Sequence, residues 1–293
     1  MTNEINVITT VSSWPEALEL QRKSLHKFSE NPFKFIAVID TSETPNAWNL
    51  WDASLRKRAI EIANEYCDEV VVFPEELHAN RRELFPKTKT KRARYSNERA
   101  ADVLQFVFRH KILESQKSTM IIDSDMFPIA NFNLVEQLQI NKFRGVLQHR
   151  KGILNKKVKY FWNGIIQLSP SELPELVNFS LDCGKVKGAR VDTGGQSHYW
   201  IEKLEKVYDR NLLGEINHLS SLNWQIPDLN VTLSSELFDF IVNDDRNVEK
   251  QIFTEIYDDK FLHFRAGSNW REEDSNSVKK RHHIFLDALA TNL

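Results

Sequence analysis

Short apolar runs alternate with helical patterns through the first half of the chain. Four runs have the length and composition of strands: Ile5–Val11, Phe33–Ile39, Glu69–Phe73 and Thr119–Ile122. Three stretches between them have helical periodicity, one from the capping box Ser13-Trp14-Pro15-Glu16 to about Phe28 and the others over Trp51–Tyr66 and Ser96–Ser115. This alternation predicts an α/β fold with a mostly parallel central sheet flanked by helices.

The second half of the chain is less regular. Its pattern predicts strands at Arg144–His149, Lys159–Leu168 and Lys260–Phe264, and helices at Gln196–Val207 and Ser277–Leu289. A second capping box, Ser169-Pro170-Ser171-Glu172, has proline at the favoured first helical position and predicts a further helix. Neither half contains an internal repeat or a proline- and serine-rich linker, so one domain over residues 1–293 is the simplest prediction.

Composition and charge narrow the class of protein. With 39 Lys+Arg against 41 Asp+Glu, the net charge of −2 gives no overall field for nucleic acid or an anionic membrane, although a local patch still could. Two cysteines, Cys67 and Cys183, are too few for a disulfide framework and predict reduced thiols. The N-terminal residues lack a signal-peptide pattern, and no run of about eighteen apolar residues occurs. We therefore predict a cytoplasmic protein with no transmembrane segment and no nucleic-acid partner.

The strongest chemical signal is the pair of carboxylates at Asp123 and Asp125, which follows the apolar run Thr119–Ile122. Since the two are spaced i, i+2 at the end of a strand, we expect both at the carboxyl edge of the sheet, where open α/β sheets bind ligands. Hard oxygen donors at that edge suit a divalent cation, Mn²⁺ or Mg²⁺, that carries phosphates. The alternative is a solvated turn in which Asp123 caps the backbone.

In these residues the chain resembles the nucleotide-sugar-dependent glycosyltransferases of the A-type fold, whose central strand ends in an Asp-x-Asp motif. The resemblance implies one Rossmann-like domain, with a nucleotide-sugar-binding half over residues 1–130 and an acceptor-binding half over residues 131–293. It also implies that Asp125 is the firmer metal ligand and that Asp123 lies nearer the donor ribose and the metal. The cation is needed because negative charge develops on the leaving nucleoside diphosphate.

Two further segments follow in the order of this family. Phe161–Ile166 resembles the strand that lines the acceptor side, which implies acceptor contacts for Trp162 and Asn163. Asp192–Gln196 resembles the acidic segment that opens the helix over the donor sugar, and its two glycines let the backbone approach a ligand. Taken alone, the first segment is equally a buried strand with an Asn-Gly turn, and the second is a flexible loop with a helix cap.

The segment His263–Trp270 resembles the C-terminal histidine segment of the glycogenin-like transferases, whose histidine is a third metal ligand. One extra residue separates His263 from Gly267, and the lysine and proline of the family's segment are absent. The resemblance implies a ligand role for His263 and leaves Arg265 or Arg271 as the cation for the donor. A lone histidine at a strand end is more often structural.

Donor contacts are predicted at the ends of the first two strands. Thr9, Thr10 and Val11 close the first strand, and the loop after them should cradle the nucleotide. Asp40 ends the second strand and should form a hydrogen bond with the base or the ribose.

Asp192 and Gln196 are the candidates beside the anomeric carbon. In an inverting enzyme Asp192 would be the general base toward the acceptor hydroxyl. The other candidates for this base are His149, which we assign to the acceptor side, His198 and the Asp244–Asp245 pair. In a retaining enzyme Asp192 or Gln196 would instead stabilise an oxocarbenium-like centre. The resemblance at His263 favours retention without deciding it.

The segment Arg81–Arg94 carries seven Lys or Arg residues against one glutamate. Most such runs are solvated loops. A functional version would close over the donor pyrophosphate or contact an anionic acceptor.

These features together predict a metal-dependent glycosyltransferase that moves a hexosyl or pentosyl unit from a nucleoside-diphosphate sugar to a hydroxyl of a glycan or related acceptor. Two alternatives stay open: a degenerate transferase fold that acts as a carbohydrate-binding module, and a metal-dependent nucleotidyltransferase. The second class usually has a glycine-rich loop near its N-terminus, and residues 10–17 contain no glycine. The sequence predicts no oligomeric state.

Overall fold

The computed structural model describes residues 4–40, 54–219, 231–248, 252–265 and 275–293. Its strands are β1 (Ile5–Val11), β2 (Phe33–Ile39), β3 (Glu69–Val72), β4 (Thr119–Asp123), β5 (Met126–Pro128), β6 (Phe143–Lys151), β7 (Lys157–Leu168), β8 (Gly184–Val186), β9 (Ala189–Val191), β10 (Leu213–Glu215), β11 (His218–Leu219), β12 (Glu255–Tyr257) and β13 (Phe261–His263). Its α-helices are α1 (Ala17–Phe28), α2 (Leu55–Tyr66), α3 (Glu76–Ala79), α4 (Ser96–Val107), α5 (Leu134–Ile140), α6 (Ser197–Val207), α7 (Ser235–Val242) and α8 (Ser275–Thr291).

Most of the predicted elements are present, and β1 and β2 have their predicted ranges. The helix predicted over Ser96–Ser115 is α4, which ends at Val107 and continues as a π-helical turn over Phe108–Ile112. The predicted start of the second helix, at Trp51, lies outside the described residues.

The helix predicted from the capping box at Ser169 is wrong. Only a single 3₁₀ turn forms, over Pro170–Glu172, and the Ser169 hydroxyl donates a hydrogen bond to the Glu172 carboxylate at 2.9 Å. Pro174 explains the difference, because a proline has no N–H to donate to the carbonyl four residues before it.

Seven strands form the main sheet, in the order β10-β6-β7-β4-β1-β2-β3. All neighbouring pairs are parallel except those of β7, which is antiparallel to both β4 and β6. The prediction of a Rossmann-like α/β fold with a mostly parallel central sheet is therefore confirmed. β4 lies in the middle of the sheet, with Thr10 of β1 opposite Asp123.

Both faces of the central parallel strands β1, β2 and β4 are largely buried, which explains why these strands are mostly apolar in the sequence. Along β1, Val7 belongs to a core shared with α1, α2 and α5, whereas its neighbour Ile8 belongs to a core shared with α4 and α6. Helices thus cover the two faces of the sheet and leave its carboxyl edge for a site.

A second, antiparallel sheet lies beyond the end of β4, with the strand order β11-β12-β13-β5. Its core joins Trp14 and Phe127 to Phe285 of α8. Pairing of β13 with β5 brings a segment from near the end of the chain against the residues that follow Asp125.

The basic segment Arg81–Arg94 is only partly a solvated surface. Arg81 is fully buried and donates hydrogen bonds to the carboxylates of Asp102 and Asp182, at 2.6 and 2.7 Å. Phe85 is also buried. The other six Lys and Arg residues of the segment are exposed.

None of the described helices is long and apolar enough to span a membrane.

Candidate metal centre

The candidate centre is built on the turn between β4 and β5. β4 is buried up to Ile122 and delivers Asp123, partly buried, to the carboxyl edge of the main sheet. The chain then turns through Ser124 and Asp125, whose side chains are buried, before β5 begins at Met126. A strand, a two-residue turn and a second strand therefore set the two carboxylates side by side.

His263 joins these carboxylates through the pairing of β13 with β5. The Phe264 N–H donates to the Asp125 carbonyl at 2.8 Å, and His263 is the register partner of Met126. Nε2 of His263 lies 3.3 Å from Oδ1 of Asp125. One candidate ligand atom from each of Asp123, Asp125 and His263 lies within 4.8 Å of the other two.

The donor set of this cluster fits one divalent cation. Carboxylate oxygens suit Mg²⁺ and Mn²⁺, and an imidazole nitrogen extends the set toward softer first-row ions. Two ligands about 2.1 Å from one ion are at most about 4.2 Å apart, so a small closure of the cluster would bring all three atoms into range. The predicted metal ligands are thus brought together, and both metal binding and the identity of the ion stay predictions.

Glu255, which the sequence analysis did not single out, orients His263. The two residues are direct register partners across β12 and β13, and Nδ1 of His263 donates to Oε2 of Glu255 at 2.9 Å. The Tyr257 hydroxyl donates to the same oxygen at 2.9 Å. A carboxylate on one ring nitrogen leaves the other nitrogen directed at the metal position, a common arrangement for metal-binding histidines.

Trp162 closes one side of this group. Its ring stacks on Tyr257 with 5.3 Å between centroids and lies 5.5 Å from the ring of His263. Trp162 is partly exposed, so the predicted acceptor residue borders the metal centre and keeps a free surface.

Charges within the centre shift the pKa values of its members. Burial, with repulsion from Asp125, raises the pKa of Asp123 to about 7. Burial would lower the pKa of His263, but the carboxylates of Asp125 and Glu255 outweigh it and raise the pKa to about 10. For Glu255, burial alone would raise the pKa of the carboxyl. Hydrogen bonds from the imidazoles of His218 and His263 instead hold that pKa well below its usual range.

These shifts predict that protons compete with the metal. A ligand must be deprotonated to bind, so Asp123 loses a proton with a pKa of about 7 and His263 one with a pKa of about 10. Affinity for Mn²⁺ should therefore rise with pH, by about a hundredfold per pH unit below about pH 7 and about tenfold per unit between about pH 7 and about pH 10. Calorimetric titration in buffers of different ionisation enthalpy measures both the dissociation constant and the protons released. A dissociation constant that does not change between about pH 6 and about pH 8 would contradict this prediction.

Gln21 of α1 is a second residue that sequence reasoning missed. Its side chain is fully buried and its amide donates to the carbonyls of Asp123 and Met126, at 3.0 and 2.8 Å. It therefore ties both ends of the Asp123–Met126 turn to the helix. The available signal was a glutamine on the buried face of an amphipathic helix.

Replacing Gln21 by leucine should lower the free energy of unfolding by about 1–3 kcal/mol, because two buried carbonyls lose their donor. Metal affinity should fall as well, since the turn is no longer held. Urea unfolding and metal titration measure the two effects. Gln139→Leu, an exposed position on α5, is the matched control and should leave both quantities unchanged.

The predicted donor residues lie along the same edge of the sheet. Thr9 is buried within the sheet, whereas Thr10 is partly exposed beside Asp123. Asp40 accepts hydrogen bonds from Nε2 of His78 at 3.1 Å and from Arg99 at 3.4 Å, and its N–H donates to the Val11 carbonyl. Their donor roles stay predictions.

Asp192 and Gln196 lie at the start of α6. Asp192 is exposed and its carboxylate accepts from the Thr193 N–H at 2.9 Å, while the Thr193 hydroxyl donates to the Asn97 carbonyl of α4 at 2.8 Å. The Gln196 amide donates to the Lys185 carbonyl at 3.4 Å. These contacts join the Asp192 loop to α4, and the catalytic roles stay predictions.

The other acceptor, base and donor candidates are spread over β6, β7, α6 and the residues after β13. Asn163 is partly buried on β7, and His149 is exposed on β6 opposite Lys159. His198 is buried, with Nδ1 3.0 Å from the Lys159 carbonyl. Nη1 of Arg265 lies 3.9 Å from Oε1 of Glu255, at the rim of the centre.

The remaining base candidates have ion-pair partners. Asp244 pairs with Arg246 at 2.6 Å and Asp245 pairs with Arg281 at 3.0 Å. Arg271, the alternative donor cation, lies outside the described residues.

No protein-family model and no curated protein matches the sequence. Among solved structures, the chain is similar to the mannosyltransferase PcManGT from Pyrobaculum calidifontis in complex with GDP-Man and Mn²⁺. The two share 12% identity with a TM-score of 0.38, over 72% of this chain and 56% of that one. A likeness this distant assigns neither a family nor a function to the chain.

Proposed function

We propose that the protein is a metal-dependent glycosyltransferase of the A-type fold. It transfers a sugar from a nucleoside-diphosphate sugar to a hydroxyl of a glycan or related acceptor. The convergence of Asp123, Asp125 and His263 at the carboxyl edge of the main sheet carries this proposal, because it supplies a divalent-cation site where such folds bind nucleotides.

Asp123, Asp125 and His263 hold the cation, Mn²⁺ or Mg²⁺, which when bound neutralises charge on the leaving diphosphate. The loop after Val11 binds the nucleotide, and Asp40 accepts a hydrogen bond from its base or ribose. Glu255, bound to Nδ1 of His263, would keep Nε2 of the same ring available to the cation. Arg265, next to Glu255, contributes a positive charge at the rim.

The nucleotide lies beside β1, and the acceptor lies on the opposite side of β4, beside β7. Trp162 offers a partly exposed aromatic face, which suits the apolar C–H face of a sugar ring, and Asn163 and His149 contribute polar contacts. Asp192 and Gln196 act at the anomeric carbon, with Asp192 as general base in an inverting reaction or as the group that stabilises positive charge in a retaining one. The anomeric configuration of the product, read by NMR, distinguishes the two.

In this proposal residues 1–130 and 131–293 are the donor and acceptor halves of one domain. The cytoplasmic location stays a prediction.

Thermal unfolding against a panel of nucleoside-diphosphate sugars and nucleoside triphosphates, with and without Mn²⁺, tests the proposal. A ligand that binds only the native state raises stability by about 2.7 kcal/mol at a hundredfold excess over Kd. We expect a rise in Tm that needs both the metal and one nucleotide sugar. No rise with any donor would favour a carbohydrate-binding module, and a rise with a nucleoside triphosphate alone would favour a nucleotidyltransferase; either result contradicts the proposal.

A further inference from the structure

The hairpin between β6 and β7 ends in two exposed aliphatic side chains. Ile153 is 66% exposed and Leu154 is 86% exposed, although both are large apolar residues. We call this pair the apolar tip. Single exposed hydrophobic residues are common, but two adjacent ones at the end of a hairpin form a small apolar surface that a partner can cover.

The apolar tip is part of a built turn. The Ile153 N–H donates to the Lys187 carbonyl of the β8–β9 hairpin at 3.0 Å, and the Gly152 N–H donates to the Lys156 carbonyl at 2.8 Å. Ile153 lies so close over Gly188 that a Cβ there would be 2.3 Å from its Cγ1. Leu154 has left-handed backbone geometry, with φ of 58°, which non-glycine residues rarely adopt. The fold therefore holds both side chains outward.

Exposed cations surround the apolar tip. Six lie on the two hairpins that form it, and we call them the cationic collar: Arg150, Lys151, Lys156, Lys157, Lys185 and Arg190. Within the described part of the chain, none of the six has a carboxylate within ion-pair distance, whereas the nearby Lys159 and Lys187 pair with Glu205 and Glu202. The sequence from 149 to 157 contains no acidic residue. The collar therefore presents unneutralised positive charge around an apolar centre.

We propose that the apolar tip and the cationic collar bind the surface of an anionic lipid bilayer. Apolar side chains on such a surface enter the boundary between headgroups and acyl chains, while the surrounding Lys and Arg contact the lipid phosphates. Residues 149–157 and 183–191 contain no Phe, Tyr or Trp, and His149 is their one aromatic ring, so they offer a nucleic acid little surface for base stacking. An acidic protein would satisfy the collar but would not require two protruding aliphatic residues.

The hairpin projects from the edge of the sheet that carries the candidate metal centre. β7 is antiparallel to β4, with Ile165 opposite Ile122, so the residues before Ile165 extend past Asp123. Trp162 lies on the same strand, about 17 Å from Lys157 at the spacing of an extended chain. Docking of the tip would bring this edge toward the bilayer. The inference goes beyond the proposed function and does not depend on it.

Flotation of the full chain with vesicles tests the proposal directly. We expect the protein to float with vesicles of phosphatidylcholine and phosphatidylglycerol, not with vesicles of phosphatidylcholine alone, and to be released by high salt. The double variant Ile153→Ser/Leu154→Ser should lower the vesicle-bound fraction at least about tenfold. The triple variant Lys151→Glu/Lys156→Glu/Lys157→Glu should abolish binding.

Matched controls distinguish binding through this surface from nonspecific binding to vesicles. Ile140→Ser and Val177→Ser remove apolar residues that are 78% and 73% exposed elsewhere, and should leave vesicle binding unchanged. Lys87→Glu/Lys89→Glu/Arg92→Glu reverses three exposed charges on the other basic segment and should have a smaller effect than the collar variant. The proposal is overturned if the wild-type chain ignores anionic vesicles or if the controls lose as much binding as the tip and collar variants.

Discussion

Asp125→Ala is expected to abolish metal-dependent donor binding and to reduce glycosyl transfer by about a thousandfold or more. Asp125 is the buried carboxylate of the centre and lies 3.3 Å from Nε2 of His263, so its loss leaves the cation with two ligands. The fold should persist, because the backbone carbonyl of Asp125, which accepts from Phe264, is retained. Calorimetric titration with Mn²⁺ and the candidate donor measures the loss.

The matched control for Asp125 is Asp239→Ala, which removes an exposed carboxylate on α7. It should bind metal and donor like the wild-type protein. Circular dichroism and Tm show whether Asp125→Ala is folded. A folded Asp125→Ala variant that keeps its donor affinity in Mn²⁺ would overturn both the metal centre and the proposed function.

Arg81→Met should give the largest loss of stability among the substitutions considered, about 3–5 kcal/mol. Arg81 is fully buried between Asp102 and Asp182, and methionine fills much of its volume but leaves two buried carboxylates without their cation. Burial raises the pKa of Asp102, and without Arg81 its carboxylate keeps only His78, at 2.9 Å, as a charged partner. Urea unfolding measures the change in free energy.

Arg82→Met is the neighbouring control. Arg82 is exposed, so its replacement should change the free energy of unfolding by less than about 0.5 kcal/mol. Arg81→Lys keeps the charge but loses the planar fork that reaches both carboxylates, and should lie between the two. Equal stability of the Arg81→Met and Arg82→Met variants would show that the buried network does not stabilise the fold.

The central strands β1, β2 and β4 of the main sheet could be predicted from sequence because both of their faces are largely buried. Such strands appear as continuous apolar runs, as in Ile5–Val11 and Phe33–Ile39, and their ends coincide with the observed bounds. The helix predicted after Ser169 failed because a favourable first turn is a local signal, while Pro174 acts one turn later. In the second sheet only β13 was predicted, within Lys260–Phe264; β5, β11 and β12 are two or three residues long, too short for periodicity to indicate.

In the candidate centre, too, some residues could be predicted from the sequence and others could not. Asp123 and Asp125 are two residues apart and follow a strong strand signal, so they could be found locally. His263 was found through its resemblance to a family segment. Glu255 and Gln21 could not be, because their roles depend on contacts with residues distant in sequence: a cross-strand partner in one case and a turn beneath a helix in the other.

The basic segment shows the limit of charge patterns. Seven cations in a row of fourteen residues indicate a solvated loop, and six of them are exposed. Arg81 has the same residue type but lies inside the protein, because Asp102 and Asp182 compensate its charge there. Sequence alone does not distinguish Arg81 from the six exposed cations, because Asp102 and Asp182 are far from Arg81 along the chain.

His263 comes after all the strands of the main sheet in the sequence, and this order has a consequence for synthesis. A nascent chain that has left the ribosome up to β10 contains the strands of the main sheet together with Asp123 and Asp125, but neither His263 nor its partner Glu255. Two like charges then share the turn without their imidazole, and a proton is easier to accommodate there than a metal ion. At the proposed metal site, binding of the cation should therefore follow translation of β13, because a chain that ends before residue 255 lacks both His263 and Glu255.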